Sequence, residues 1–472
     1  MTTKIKFGTD GWRGIIADDF TGANVRLVAQ ATVNYFKKLD EGDKIVVVGY
    51  DNRSQSEYFA QEAAKVAVYN GFRAILSQQS CSSPAVSYMV KHYNAKGGVM
   101  ITASHNPPNF NGFKIKAFYG GPASPSIITK VEGELAQLID QNAFFPSSPE
   151  YLDKVEIEDF RPVFLGQIAS LVNLDKIREA NFKIVIDPMY GSGAGYLSSI
   201  LEDAGVGNVI EIRKERNPYF GGINPEPIVQ NMAATFSAVL TNHADVAVVT
   251  DGDADRVGAV DSQGRFVDSH RIFAVVLKHL AENREWTGDV VKTLSTTQLV
   301  NKLAAKYGRT LYETPIGFKY ICDYMLDHDI LMGGEESGGL GVKNHIPERD
   351  GVLLSLLLLE AMSYRGKKLE ELIDEVMVEF GNHDYDRVDL HPDVTRWDSI
   401  AAYLKEYSPE SFAGQPVKAV SKVDGTKIIF DDESWILLRP SGTEPVVRVY
   451  AESSTKERVK ELLDAGTKIV NG

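Results

Sequence analysis

The chain has 472 residues, 43% of them hydrophobic and 24% charged, the composition of an ordinary soluble globular protein long enough for several separate cores. Its formal net charge of −14 opposes nonspecific binding to nucleic acid or anionic lipid, so an anionic ligand has to be caught by a few well-placed cations. Cys81 and Cys322 are the two cysteines and show no CxxC spacing, which leaves neither a disulfide framework nor a structural zinc site and predicts buried, inert thiols.

The opening MTTKIKFGTDGWRG lacks the apolar core of a signal peptide, and the longest apolar stretch, Val352 to Leu359, is far short of the roughly 20 residues of a membrane span. A cytoplasmic location with no membrane partner is therefore expected. Arg13 lies in the turn-like GTDGWRG, and a β-branched run at Lys44–Gly49 predicts a strand that ends in GYDNR, offering Arg53. The next strand, Val99–Thr102, runs into TASHNP. Ser104 at that strand end, with His105 beside it and Lys114 further on, can hold a phosphoryl group while the bases handle a hydroxyl proton. The same residues also make good turn chemistry, and no GxSxG elbow supports a hydrolase.

Ala143–Glu150 (AFFPSSPE) reads as a boundary. Strand Lys183–Asp187 leads into DPMYGSG, where Gly191, Gly193 and Gly195 resemble a dinucleotide loop but Tyr196 replaces the third glycine. Strand Ala244–Thr250 enters DGDADR. Asp251, Asp253 and Asp255 on this turn can converge on one hard cation, magnesium being the natural candidate, and Arg256 could hold a phosphate beside it. An EF-hand is excluded by Arg256 and Ser262 at positions that need Gly and Glu. A solvated acidic turn is the plainer alternative.

After a boundary at Asp261–Gly264, strand Ile330–Gly334 enters GGEESGG, whose Glu335, Glu336 and Ser337 suit a grip on vicinal sugar hydroxyls. A polar stretch at Gly381–Asp393 marks the last boundary. Beyond it, strands Trp435–Arg439 and Val446–Tyr450 flank a turn in which Arg439, Ser441, Gly442 and Thr443 can form an anion cup or an ordinary hairpin, and a helix opens with the capping box Ser454 to Glu457. Alternating strands and amphipathic segments predict an α/β protein, with ligands gathered where the strands end.

TASHNP, DGDADR, GEESGG and RPSGTEP, in this order across nearly the whole chain, resemble the signature set of the α-D-phosphohexomutases, which include phosphoglucomutases and phosphomannomutases. The resemblance implies four domains around a central cleft, the first three with related mixed α/β sheets and the fourth a smaller α+β module. We expect them at residues 1–147, 155–261, 262–378 and 385–472. It further implies that Ser104 is a phosphoserine and, with Asp251, Asp253 and Asp255, part of a magnesium site. Arg13, His105, Lys114 and Arg256 would surround the reacting centre, with Lys292 near it. Glu335 and Ser337 would bind sugar hydroxyls, Gly317 and Phe318 would belong to a sugar-selecting loop at 314–319, and Arg439, Ser441, Gly442 and Thr443 would clamp the unreacted phosphate.

The implied reaction moves a phosphoryl group between C1 and C6 of a hexose phosphate through a hexose 1,6-bisphosphate, which also serves as activator. GEESGG rather than a GEQSGH-like pattern tilts the expectation to glucose 1-phosphate, with mannose 1-phosphate as a second substrate; a phosphoglucosamine mutase and a metal-dependent sugar phosphatase are the alternatives. A small-molecule sugar phosphate is the expected partner. No sequence feature marks an oligomeric interface.

Overall fold

The computed structural model describes residues 5–8, 10–143, 145, 147–441 and 445–471. Four main sheets correspond to four domains. The first is seven-stranded, in the order Phe7–Gly8, Gly11–Ile15, Phe110–Ala117, Ala95–Ile101, Asp43–Tyr50, Arg73–Ser77 and Glu156–Glu158. Its last four strands are parallel, and Phe110–Ala117 turns the other edge antiparallel. The second sheet orders Phe266–Val267, Val257–Asp261, Val246–Thr250, Ile184–Asp187 and Val209–Glu211. The third orders Leu311–Thr314, Asp289–Thr293, Ile330–Gly334 and Leu340–Val342. Both are parallel except where the strands after the DGDADR and GEESGG turns run back. The fourth, Asp384–Leu390, Val447–Ser453, Trp435–Pro440, Thr426–Ile429 and Ala419–Ser421, is wholly antiparallel.

This topology gives three motifs one address. TASHNP, DGDADR and GEESGG each occupy the turn between a parallel strand and the antiparallel strand that follows it, in three related sheets. Such turns lie at carboxyl strand ends, where open α/β sheets collect ligands.

The core shows which domains share their packing. One apolar cluster runs from Val47 and Met100 of the first sheet through Ile186 and Val248 to Val290 and Met332 of the third. Helix Gly351–Arg365 threads it; from Val352 to Leu359 no side chain is exposed, as expected of a helix apolar on every side. The fourth domain instead has its own core around Ile436, Leu438, Val449 and Leu462. It meets the third through a small cluster of Leu294, Trp435, Leu437 and Tyr450.

Two sequence expectations shift. Glu156–Glu158 pairs in the first sheet and Phe266–Val267 in the second, so each sheet overruns the cut expected at 155 or 261 by one strand. The last helix spans Lys456–Asn471 and is capped by the Thr455 hydroxyl, which accepts from Arg458 N–H, one residue later than the capping box that opens at Ser454. Both cysteines are buried, and burial pushes the Cys81 thiol up to about 11. No helix among the described residues is long and apolar enough to cross a membrane.

Candidate active site

Ser104 stands in left-handed backbone at φ 51°, a conformation that costs energy for a residue with a Cβ and persists only when its surroundings enforce it. The enforcing group is Arg53. Its buried guanidinium donates to four carbonyl oxygens of the loop, those of Ser104 (2.6 Å), Asn106 (2.7 Å), Pro107 (2.7 Å) and Phe110 (3.1 Å). Asp51 balances that charge at 3.2 Å and accepts from the Thr102 hydroxyl, while Thr102 Oγ1 accepts from Ser104 N–H. Arg53 is thus scaffold for the loop. The result aims Ser104 Oγ at the second domain, where it donates to Asp251 Oδ2 at 2.8 Å.

Such an approach requires a residue without a side chain opposite. A Cβ on Gly252 would lie 2.5 Å from the Ser104 carbonyl oxygen. Within the turn, Asp251 Oδ1 accepts from the N–H groups of Asp255 (3.0 Å) and Arg256 (3.2 Å), and Ala254 takes φ 57°. The GSGAG turn supports it from below through Ser192 N–H to Gly252 O, 3.0 Å.

Asp251, Asp253 and Asp255 are fully buried, and one oxygen from each lies within 4.8 Å of the others. Burial and the two neighbouring carboxylates raise Asp251 well above the usual carboxylate range. Asp253 Oδ1 and Asp255 Oδ1 are buried without a hydrogen-bond partner. Anionic oxygens left so, converging with a third carboxylate, fit a single hard dication.

Cations crowd the other side. Lys114 Nζ pairs with Asp10 (2.8 Å), Asp253 (2.9 Å) and Asp255 (3.2 Å); burial works against its charge, but these three carboxylates outweigh it and raise its pKa, so the amine is held charged. Arg349 reaches Asp255 (2.6 Å), Asp10 (2.8 Å) and Glu335 (3.6 Å), joining three domains at one guanidinium. A Cβ on Gly339 would sit 2.2 Å from its Cδ, which is why the GEESGG turn needs glycine there. Arg256 pairs with Glu226 at 3.2 Å, and Arg13 donates to Asn106 Oδ1. His105 Nδ1 is 3.4 Å from Ser104 Oγ; burial first, then Arg256, Arg13, Lys114 and Arg53, hold the imidazole well below its usual pKa, so it is neutral.

A serine pressed against a buried aspartate trio at a three-domain junction is the geometry to set beside known proteins. Four models of phosphoglucomutase/phosphomannomutase domains match, alpha/beta/alpha domain I over residues 4–142, domain II over 162–264, domain III over 268–380 and the C-terminal domain over 395–468. A phosphoglucomutase/phosphomannomutase of Thermococcus kodakarensis is 30% identical over 465 residues, covering 98% of each chain. The chain belongs to the phosphoglucomutase/phosphomannomutase family. It is a phosphohexomutase. Similarity extends to a phosphoglucosamine/phosphogalactosamine mutase of Sulfurisphaera tokodaii, 31% identical over 477 residues and 99% of each chain. A crystal structure from Thermus thermophilus carrying the name putative phosphomannomutase superposes over 100% of both chains, with a TM-score of 0.86 and 34% identity.

The remaining residues of the phosphohexomutase are dispersed around this junction. Glu335 is buried beside Arg349, and Ser337 is half-buried in the same turn. Gly317, at φ 134°, precedes helix Phe318–Asp327; Phe318 itself packs with Val291 and Ile321, its ring 5.7 Å from the Arg349 guanidinium. Lys292 donates to the carbonyls of Thr296 and Thr297, with Glu313 at 3.8 Å, rather than to any member of the aspartate trio. Burial and the nearby Lys427 bring its amine down to about 7. In the fourth domain Arg439 Nε donates to Asp424 (2.9 Å) and Ser441 N–H to Val446 O (2.8 Å); Gly442 and Thr443 lie outside the described residues.

Sequence reasoning missed Asp10, Ser83, Glu226 and Arg349. Ser83 Oγ donates to Asp253 Oδ2 at 2.6 Å from the start of a first-domain helix. For Arg349 a signal existed: the charged triplet Glu348, Arg349 and Asp350 immediately precedes the buried, Leu-rich helix Gly351–Arg365.

Burial pushes the Glu335 carboxyl up to about 7 against the pull of Arg349. Below that pH it is neutral, and above it is an anion able to accept from two hydroxyls. KM for the sugar phosphate is therefore expected to fall by about tenfold as pH rises from about 6 to about 8, the span over which such a group ionises. Glu335→Gln should show a higher KM with no such slope, which a KM-against-pH profile of both proteins checks.

Proposed function

We propose that the enzyme interconverts hexose 1-phosphate and hexose 6-phosphate, glucose being the preferred sugar, by way of phosphorylated Ser104. The observation that carries this reading is the 2.8 Å approach of Ser104 Oγ to Asp251 in a buried pocket of carboxylates and cations. In the first half-reaction the bond from phosphorus to Ser104 Oγ breaks as a bond to the free sugar hydroxyl forms. Neutral His105 is suited to take up the hydroxyl proton, whereas Lys114, held charged, is suited to stabilise the phosphoryl oxygens instead. The hexose 1,6-bisphosphate then turns end over end, and its other phosphate returns to Ser104 while the proton goes back to the sugar oxygen left behind.

Asp251, Asp253 and Asp255, together with the Ser104 phosphate, would hold a magnesium ion. When bound, that ion supplies positive charge to the transferring group. Glu335 and Ser337 would orient the sugar through its hydroxyls, and Arg439, Ser441, Gly442 and Thr443 would hold the phosphate not reacting. The separate core of the fourth domain supports its role as a lid that accepts either end of the intermediate.

The test is a panel of glucose, mannose, glucosamine and N-acetylglucosamine 1-phosphates with magnesium and a trace of bisphosphate. Conversion of glucose 1-phosphate to the 6-phosphate with the highest kcat/KM, and no matching free phosphate, is expected. A higher kcat/KM for glucosamine 1-phosphate would replace the sugar assignment by the activity named for the Sulfurisphaera relative. Free phosphate equal to substrate lost would replace transfer by hydrolysis.

A further inference from the structure

The fourth domain touches the third through polar bonds at the GEESGG turn and at the strand ends beside it. Arg387 pairs with Glu336 of the GEESGG turn at 3.1 Å. Lys427 Nζ donates to Leu294 O at 2.6 Å and lies 3.4 Å from Glu313. A third contact is made by Asp424, in the turn before strand Thr426–Ile429. One oxygen, Oδ2, accepts twice: from Ile316 N–H of the third domain at 3.0 Å and from Arg439 Nε of the fourth at 2.9 Å. The side chains of Arg439 and Asp424 are only 12% and 23% exposed, so water competes little for this bond.

Each partner has a place in substrate recognition. Ile316 belongs to the loop at 314–319 and packs against the seam cluster of Leu294, Trp435, Leu437 and Tyr450. Arg439 is the guanidinium of the phosphate clamp. A carboxylate on Nε fixes the plane of the guanidinium, whose two terminal amino groups could then take an oxyanion at two points.

We propose that Asp424 is a positioning residue that couples phosphate capture by the lid to the placement of the sugar loop. This rests on the reading of Arg439 as a phosphate clamp. Asp424 sets the fork at an angle fit for the unreacted phosphate, and through the shared oxygen the same event pins Ile316 and the loop around it. An interaction made alike in ground and transition states acts on binding, so its loss raises KM and spares kcat.

Steady-state kinetics on Asp424→Ala, Asp424→Asn, Arg439→Ala and the Asp424→Ala/Arg439→Ala pair test this with glucose and mannose 1-phosphates. Loss of one charge-assisted hydrogen bond predicts that Asp424→Ala raises KM by about tenfold while kcat stays within about twofold. In the Arg439→Ala background the same change should multiply KM by no more than about twofold, the mark of residues acting as a unit. Asp424→Asn keeps an acceptor for Ile316 N–H without the charge, so it should raise KM by less and preserve the glucose-to-mannose kcat/KM ratio, which Asp424→Ala shifts. A KM unmoved by Asp424→Ala, or multiplied equally with and without Arg439, overturns the proposal while the clamp stands. If Arg439→Ala itself leaves KM unchanged, the clamp reading fails and Asp424 loses its role with it.

Discussion

Replacement of Ser104 by Ala is expected to lower mutase turnover by on the order of 10⁴-fold or more, the scale seen when the group that carries a covalent intermediate is removed. The fold should survive. Ser104 contributes one hydroxyl bond to Asp251, whose loss costs about 1 kcal/mol, while the loop itself is held by Arg53 through main-chain carbonyls that the substitution leaves in place. Turnover of hexose 1-phosphate, the phosphopeptide mass at position 104 and a thermal melt together check this. Wild-type rates in the variant would refute the donor assignment, because no other hydroxyl among the described residues bonds to Asp251.

The second large effect is expected at Arg349. Its guanidinium answers Asp255, Asp10 and Glu335 from three domains, and the site is buried. Removing one partner of a buried ion pair leaves charges that water cannot reach, typically at a cost of about 3–5 kcal/mol. Arg349→Ala should therefore lower the unfolding free energy by that amount, read as a shift of the denaturant midpoint, and depress kcat/KM by at least about 100-fold, since Asp255, which it holds, belongs to the aspartate trio facing Ser104. Arg349→Lys should recover part of the stability but little of the activity, because a point charge cannot fork across three carboxylates. A stability within about 1 kcal/mol of wild type would place Arg349 with weak surface pairs instead.

Much of the site was legible because its parts are local. Alternate aspartates after a β-branched strand, a Ser-His pair at a strand end and a glycine-flanked Glu-Glu-Ser turn each announce a chemistry within a few residues. The strands around them were placed closely too: Lys44–Gly49 became Asp43–Tyr50, and Ile330–Gly334 held at both ends. Local signals also misled where neighbours compete, as when Thr455 rather than Ser454 capped the last helix. Asp10 gave no such local pattern, and the charged triplet around Arg349 does not say what it meets; the two pair across 339 positions. Lys292 shows the converse. The family resemblance implies a place near the reacting centre, whereas here its amine donates to the Thr296 and Thr297 carbonyls.

By itself, then, the sequence determined the α/β repeat, the TASHNP, DGDADR and GEESGG turns at strand ends and the residue types on them, because hydrophobic period and turn composition act over short stretches. The tertiary structure alone decided that Ser104 faces Asp251 across 147 residues, that Arg53 serves as scaffold and Arg349 as junction, and that Lys114 stays charged beside a neutral His105. Those outcomes depend on burial and on distances between groups remote in the chain, and electrostatic energy is a function of both.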